Sequence, residues 1–308
     1  MTSASSAPLA PAPVNAARLR KGIVIMCAAT LVFSILNAAA KYLLEKYPIN
    51  ELVFFRSAFT ILPVLWLAQR DGHGFASLRT RRLGAHAWRG VLGVLSMGAQ
   101  IVALAMLPIS DVTAFIFTAP LFITALSVPL LGERVGVHRW SAVVIGFLGV
   151  LVMVQPGAGG ISAGGLVAVG GSAAYALAVI TIRQMSGSEP AATIVFYNAF
   201  VGMVVAAVSL PFRWQTPDLV DLAVLMVIGI GGGFAQFWQT SAYHLAPVAV
   251  VAPFSYSSLL WATILGFAIW DEVPTHEVLM GSILVVASGL YILYRETHLK
   301  KLRAAAAE

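Results

Sequence analysis

The sequence divides into ten apolar runs, approximately residues 22–44, 50–69, 85–106, 109–131, 138–155, 163–183, 191–212, 219–243, 247–269 and 277–294. A helix needs about 20 apolar residues to cross a hydrocarbon core, and each run is of that order. The connections are mostly short and carry Pro, Gly or charge, as in "KYPIN", "LPISD" and "DEVPT". Inside lipid a backbone must satisfy its own polar groups, so single runs of this kind can only be helices. The expected fold is an all-α integral membrane protein with ten transmembrane helices. Composition agrees: 10% of residues are charged and 59% are hydrophobic. An average soluble domain is about 25% charged.

The net charge of +6 does not point to nucleic acid, because the basic residues cluster between apolar runs and form no stripe on one face. The single cysteine, Cys27, lies in an apolar run and supports neither a disulfide nor a cysteine metal site. No metal or cofactor motif is present. Residues 1–20 read as a disordered Ala/Pro/Ser-rich tail and residues 297–308 as a basic cytoplasmic tail. The first apolar run is too long for a signal peptide's apolar region, so it is expected to remain as the first span.

Lys and Arg test the span count. With the N-terminus in the cytoplasm, fifteen cations fall on the cytoplasmic side, and Lys41, Lys46 and Arg213 fall outside. Arg56 is left over, inside a span. This is the positive-inside bias, and one missed helix would invert every later loop and erase it. The expected location is a bacterial inner membrane with both termini cytoplasmic.

The two halves echo each other. At an offset of 142, Pro48 meets Pro190, "VFFR" (53–56) meets "VFYN" (195–198), Phe33 meets Tyr175 and Lys41 meets Arg183. At an offset of 139, Gly93 meets Gly232, Gln100 meets Gln239, Pro108 meets Pro247 and Glu133 meets Glu272. Residues 21–157 and 158–296 thus read as two five-helix copies. Five is odd, so the second copy enters from the opposite side, giving an inverted repeat suited to alternating access around a midplane site.

Each copy closes on a related turn, "PLLGERVG" at 129–136 and "AIWDEVP" at 268–274. With the block 107–157, "LPISDVTAFIFTAPLFITALSVPLLGERVGVHRWSAVVIGFLGVLVMVQPG", these turns resemble the EamA type of the drug/metabolite transporter superfamily. The resemblance covers residues 20–296. It implies a ten-helix transporter of small metabolites; characterised relatives include amino-acid exporters, among them aromatic amino-acid exporters of the YddG kind, and importers of S-adenosylmethionine. The second copy departs from the family turn, with Trp270-Asp271 in place of Leu-Gly.

Polar side chains inside a membrane are costly and mark function or helix–helix contact. Gln236, Gln239 and Tyr243 share one face of the eighth span, and Gln100 is the repeat partner of Gln239. Two amides converging across a repeat axis suit a zwitterion or neutral polar solute; an interhelical Gln–Gln contact is the alternative. Asn37 lies on a stripe with Ser34 and Lys41, where Lys41 is expected to snorkel outward. Tyr175 and Tyr256 offer ring and hydroxyl to an organic substrate. Pro120 is expected to kink the fourth span and open a cavity-facing carbonyl beside Thr118, itself a candidate solute contact. Pro108 and Pro247 mark equivalent span starts. Glu133 and Glu272 read as helix-end residues. Arg56 is expected to pair with Glu51 or Glu45, a substrate carboxylate being the sharper alternative. "GIGGGF" (229–234) reads as close helix packing.

No carboxylate falls near a midplane, unlike the membrane-embedded glutamate of the superfamily's small multidrug-resistance branch. That argues against cationic drugs and carboxylate-based proton coupling. The expected function is alternating-access export of amino acids or similar small polar metabolites, by facilitated diffusion or exchange. The alternative is uptake of a larger metabolite such as S-adenosylmethionine or a nucleoside. An integral membrane enzyme is disfavoured, because the His residues are dispersed and no base stands by a nucleophile. The expected partners are a small-molecule substrate and the bilayer, the chain being a monomer or weak dimer.

Overall fold

The computed structural model describes residues 16–70, 78–132, 135–154, 162–185, 188–189, 191–245 and 252–305. Among them are eleven α-helices and no strands: α1 (Ala16–Leu44), α2 (Ile49–Arg70), α3 (Leu83–Met106), α4 (Ile109–Ile116), α5 (Ala119–Leu131), α6 (Val137–Val154), α7 (Ala163–Met185), α8 (Ala191–Ser209), α9 (Leu219–Leu245), α10 (Ser257–Trp270) and α11 (His276–Ala305). Eight segments are long and apolar enough to cross a membrane, with α4 and α5 counted together, and two shorter apolar helical stretches follow, Phe254–Trp270 and His276–Ile292. The terminal tails are shorter than composition suggests. Helix α1 begins at Ala16 and α11 continues to Ala305, so residues 16–20 and 297–305 are helical.

Helices pack mainly across the two halves of the chain. α1 lies along α9, and α7 lies along α3; α2 packs on α8 and α9, and α8 on α2 and α3; α6 packs on α11. One apolar core gathers Leu36 and Leu43 of α1, Leu52 of α2, Ile101 of α3 and Leu225 of α9. A second gathers Leu104, Phe115, Leu121, Val150 and Val285. The glycine-rich stretch of α9 is a packing surface, as its sequence suggested. A Cβ on Gly229 would stand 2.5 Å from the Phe59 Cβ and 3.0 Å from the Arg56 carbonyl oxygen, and one on Gly231 would meet Leu36 at 3.2 Å.

The fourth span is broken, but at Phe117–Thr118 and not at Pro120. Pro120 occupies the first turn of α5, where a helix has no use for the missing N–H. The carbonyl freed by the break is not left open. Phe115 O accepts from the Thr118 hydroxyl at 2.7 Å and N–H at 3.0 Å, and from the Ser172 hydroxyl of α7 at 2.9 Å. Thr118 is fully buried, and Phe115 O beside it is not presented to a cavity. A matching break precedes α10. There the Ser257 hydroxyl donates to Phe254 O at 2.7 Å and lies 2.8 Å from the Thr30 hydroxyl of α1. The two breaks touch, with the Phe117 and Tyr256 rings 4.5 Å apart.

α5 and α10 stop in the same way. Gly132 and Asp271 each adopt a left-handed backbone, at φ 66° and 56°. The substitution that departs from the family turn therefore keeps the turn and carries the strain, since a Cβ is disfavoured in that region. Asp271→Gly should raise stability by about 0.5–1 kcal/mol and Gly132→Ala should lower it by a similar amount. Thermal unfolding of the purified protein checks both; a lower melting temperature for Asp271→Gly would refute the strain argument.

Candidate functional site

Axial position follows from counting residues at about 1.5 Å each. Asn37 of α1, Arg56 of α2 and Gln100 of α3 all lie roughly 9–11 Å below the end where α1, α2 and α3 meet. Arg89 of α3, Asn198 of α8 and Gln239 of α9 lie a similar distance above the opposite end. Tyr175 of α7 sits between the two belts. Its surface is 49% exposed.

Asn37, Gln100 and Gln239 are partly exposed and have no side-chain hydrogen bond among the described residues. The Gln100–Gln239 contact that would have made them structural is not formed there. Gln236 is exposed and holds a contact of its own. Tyr243 lies in α9 with its side chain outside the described part, and Pro247 and Glu133 lie outside the described residues altogether. Tyr256 is committed to the break, with its ring on Phe117 and its hydroxyl against α11 at Gly289. Trp261 of α10 buries its indole nitrogen without a hydrogen-bond partner among the described residues.

Arg56 does not form the expected ion pair. Glu51 is five residues away, which is about 140° around the helix, and instead accepts from the Gln215 N–H. Glu45 accepts from the Trp270 indole at 3.3 Å. Among the described residues, the Arg56 guanidinium has no hydrogen-bond or ion-pair partner. Asn198 is engaged by Arg89, whose Nη1 donates to the Asn198 side-chain oxygen. Arg89 Nε is buried without a partner.

The end carrying the α1–α2 turn is closed by charge. Lys41 does not snorkel; it pairs with Glu272 and donates to Leu107 O at 3.1 Å, with Trp270 beneath its ammonium at 5.3 Å. Side-chain exposures of 13% and 23% make this a mostly desolvated pair. Glu272 also accepts the Ile109 N–H at 3.3 Å. It therefore caps the start of α4, just after Pro108, where the helix dipole favours an anion. Beside it, Tyr47 donates to Asp221 at 2.7 Å and Lys46 donates to the same carboxylate at 3.2 Å. The hydrogen bond to Asp221 holds the Lys46 ammonium above its ordinary pKa. At the opposite end, Thr80 donates to Glu189 at 2.8 Å, and the buried His86 imidazole stands 3.3 Å from the same carboxylate. Sequence reading missed His86, whose neighbours in the chain give no hint of a partner a hundred residues away.

A cavity of about 640 Å³ also opens at the α1–α2 end, lined by Tyr47, Asn50, Val53, Val94 and Arg213 among others. It contains none of Asn37, Arg56, Gln100 or Gln239, and its wall is mostly apolar, so it is a poor place to bind a polar solute.

Comparisons with known proteins agree with a transport role. The S-adenosylmethionine uptake transporter of Rickettsia prowazekii is 29% identical over 85% of this chain and 89% of its own. The riboflavin transporter of Rhizobium johnstonii is 29% identical over 92% and 94%. The pseudopaline exporter CntI of Pseudomonas aeruginosa is 29% identical over 88% and 95%. A solved crystal structure shares the fold with a TM-score of 0.62 at 18% identity, over 89% of this chain and 97% of its own. The EamA-like transporter family matches residues 20–155 and again residues 162–294. With nearly its whole length covered by these two successive matches, this chain, a multi-pass membrane transporter, belongs to the EamA-like transporter family.

Proposed function

We propose that the protein takes up an organic metabolite larger than a simple amino acid, of the S-adenosylmethionine or flavin kind, by alternating access between two inverted five-helix copies. The copies are residues 21–157 and 158–296. The observation that carries the inverted-repeat reading is the paired chemistry of the two breaks. Phe115 O, Thr118 and Ser172 form one set, and Phe254 O, Ser257 and Thr30 form the other. Their members are related by the offsets 139 and 142 read from the sequence. The swapped pairings of α1 with α9 and α7 with α3 support the same reading. Two related copies can lean on each other in two nearly equivalent ways, one open to each side.

Uptake rests on the relatives named for S-adenosylmethionine uptake. The pseudopaline exporter is the competing indication, and export of amino acids has no counterpart among the relatives described above. The distribution of Lys and Arg supports a bacterial inner membrane with both termini cytoplasmic. Flux into proteoliposomes tests the reading, with S-adenosylmethionine, riboflavin and a set of amino acids offered with and without a pH gradient. Saturable uptake of one of the two larger solutes is expected; saturable flux of amino acids alone would overturn it.

In this reading Asn37, Gln100 and Gln239 line the solute path. Gln100→Ala and Gln239→Ala should each lower flux about tenfold, equivalent to roughly 1.4 kcal/mol or one good hydrogen bond, while the purified protein stays monodisperse. Wild-type flux in both variants would remove the glutamines from the path.

Lys41 and Glu272 act as the outer gate, with Asn37 one helical turn deeper on the same face of α1. The equivalent positions Arg183 and Glu133 would serve the inner side. Lys41→Met and Glu272→Gln should each increase labelling of a cysteine placed at Asn37, in a Cys27→Ser background, by a membrane-impermeant maleimide added from outside. A several-fold faster reaction is expected, and an unchanged rate would rule out gating by this pair.

A further inference from the structure

The interior of the bundle carries two arginines and, among the described residues, no acidic group at their depth. At one of two equivalent interfaces between the copies, Arg89 of α3 is held by Asn198 of α8, and both crowd against Gly93, where an added Cβ would collide with the Asn198 side-chain oxygen. At the other interface, between α9 and α2, the equivalents are Ile228 for Arg89, Arg56 for Asn198 and Gly232 for Gly93. The cation has changed helix, and the acceptor that held it is gone. Arg56 packs its backbone against α9 at Gly229, and Thr60 donates to Gly229 O at 3.1 Å. Three residues further along α9, a Cβ on Gly232 would meet nothing within 4 Å. Open space thus lies beside α9 at the position equivalent to the one where Asn198 crowds Gly93 of α3. Gln100 and Asn37, also without partners, lie at the same depth as Arg56.

A guanidinium in this setting has no reason to persist on stability grounds. It is costly inside a membrane, and no described residue pairs with it to offset that cost. Its planar fork of donors matches an oxyanion. We propose that Arg56 binds an oxyanion of the transported solute, a carboxylate or a phosphate, while Asn37 and Gln100 hold the solute's neutral polar edge. The proposal rests on the metabolite-transport reading and narrows it to solutes carrying such a group. It also changes the sequence-based picture of a neutral cavity into one with an unengaged guanidinium at Arg56 and, toward the opposite end, a guanidinium already engaged by Asn198.

Two matched pairs of probes separate the sources of the oxyanion. S-adenosylmethionine and its decarboxylated analogue differ by a carboxylate; flavin mononucleotide and riboflavin differ by a phosphate. Competition against flux in proteoliposomes is measured for wild type, Arg56→Lys and Arg56→Gln, together with the melting temperature of each protein without solute. In the wild type, the member with the oxyanion should compete at least tenfold better within one pair, and that pair identifies carboxylate or phosphate. Arg56→Gln should bring the two members within about twofold, Arg56→Lys should retain part of the difference, and Arg56→Gln should melt no lower than wild type. Equal competition within both pairs by a transporting wild type overturns the Arg56 proposal alone, as does a marked fall in the melting temperature of Arg56→Gln, which would make the residue structural. Failure of all four probes to move or compete would overturn the metabolite reading, and the proposal with it.

Discussion

A helix that breaks inside a membrane frees carbonyls that lipid cannot hydrate, and the rest of this bundle is arranged around meeting that demand. Each unsatisfied group would cost several kcal/mol in hydrocarbon. Phe115 O is met twice by Thr118 and once by Ser172 from a helix of the other half. Phe254 O is met by Ser257, which Thr30 in turn engages from the first helix. These bonds tie α7 to the first break and α1 to the second, fixing which helices cross between halves. The breaks then meet ring to ring at Phe117 and Tyr256. Proline plays a permissive part: it tolerates the new helix start and does not create the kink.

The two ends of the bundle solve one problem with different chemistry. At one end Tyr47 and Lys46 hold Asp221, joining the start of α2 to α9. At the other, Thr80 and His86 gather around Glu189, joining the start of α3 to that of α8. By the sequence offsets Tyr47 corresponds to Glu189 and Asp221 to Arg82, so acceptor and donor have changed places. The scaffold is matched while its polar contacts are not, which allows the two ends to open with unequal ease.

What could be read from the sequence were the features set by short-range pattern: the apolar runs, the turns between them, the echo of "VFFR" in "VFYN", and the packing glycines of α9. Arg56 was legible as an anomaly, because one charge in an apolar run is visible in one dimension. Its lack of a partner was not, because Glu51 looks close until the helix turns it away. Lys41 read as a snorkelling end residue because its partner Glu272 is 231 positions distant. Thr118 read as solute-facing because the position of the break, and the Ser172 that closes it, depend on how α7 packs. Asn37, Gln100 and Gln239 are partly exposed and make no side-chain hydrogen bond among the described residues, which a polar side chain in an apolar run could not by itself reveal.

An inverted repeat has an inherent ambiguity: two related half-sites offer a solute two related orientations. A solute bound either way round would face each gate with a different end, and the two gates would then respond to different groups. A difference between the two related sites removes this ambiguity. In the proposed reading the two guanidiniums differ in engagement: Arg89 already donates to Asn198, while Arg56 has no partner among the described residues, so an oxyanion is favoured at Arg56, nearer the end closed by Lys41 and Glu272. That difference does for orientation what the symmetry of the backbone cannot, and in this reading orientation is what the costly placement of a guanidinium in the membrane provides.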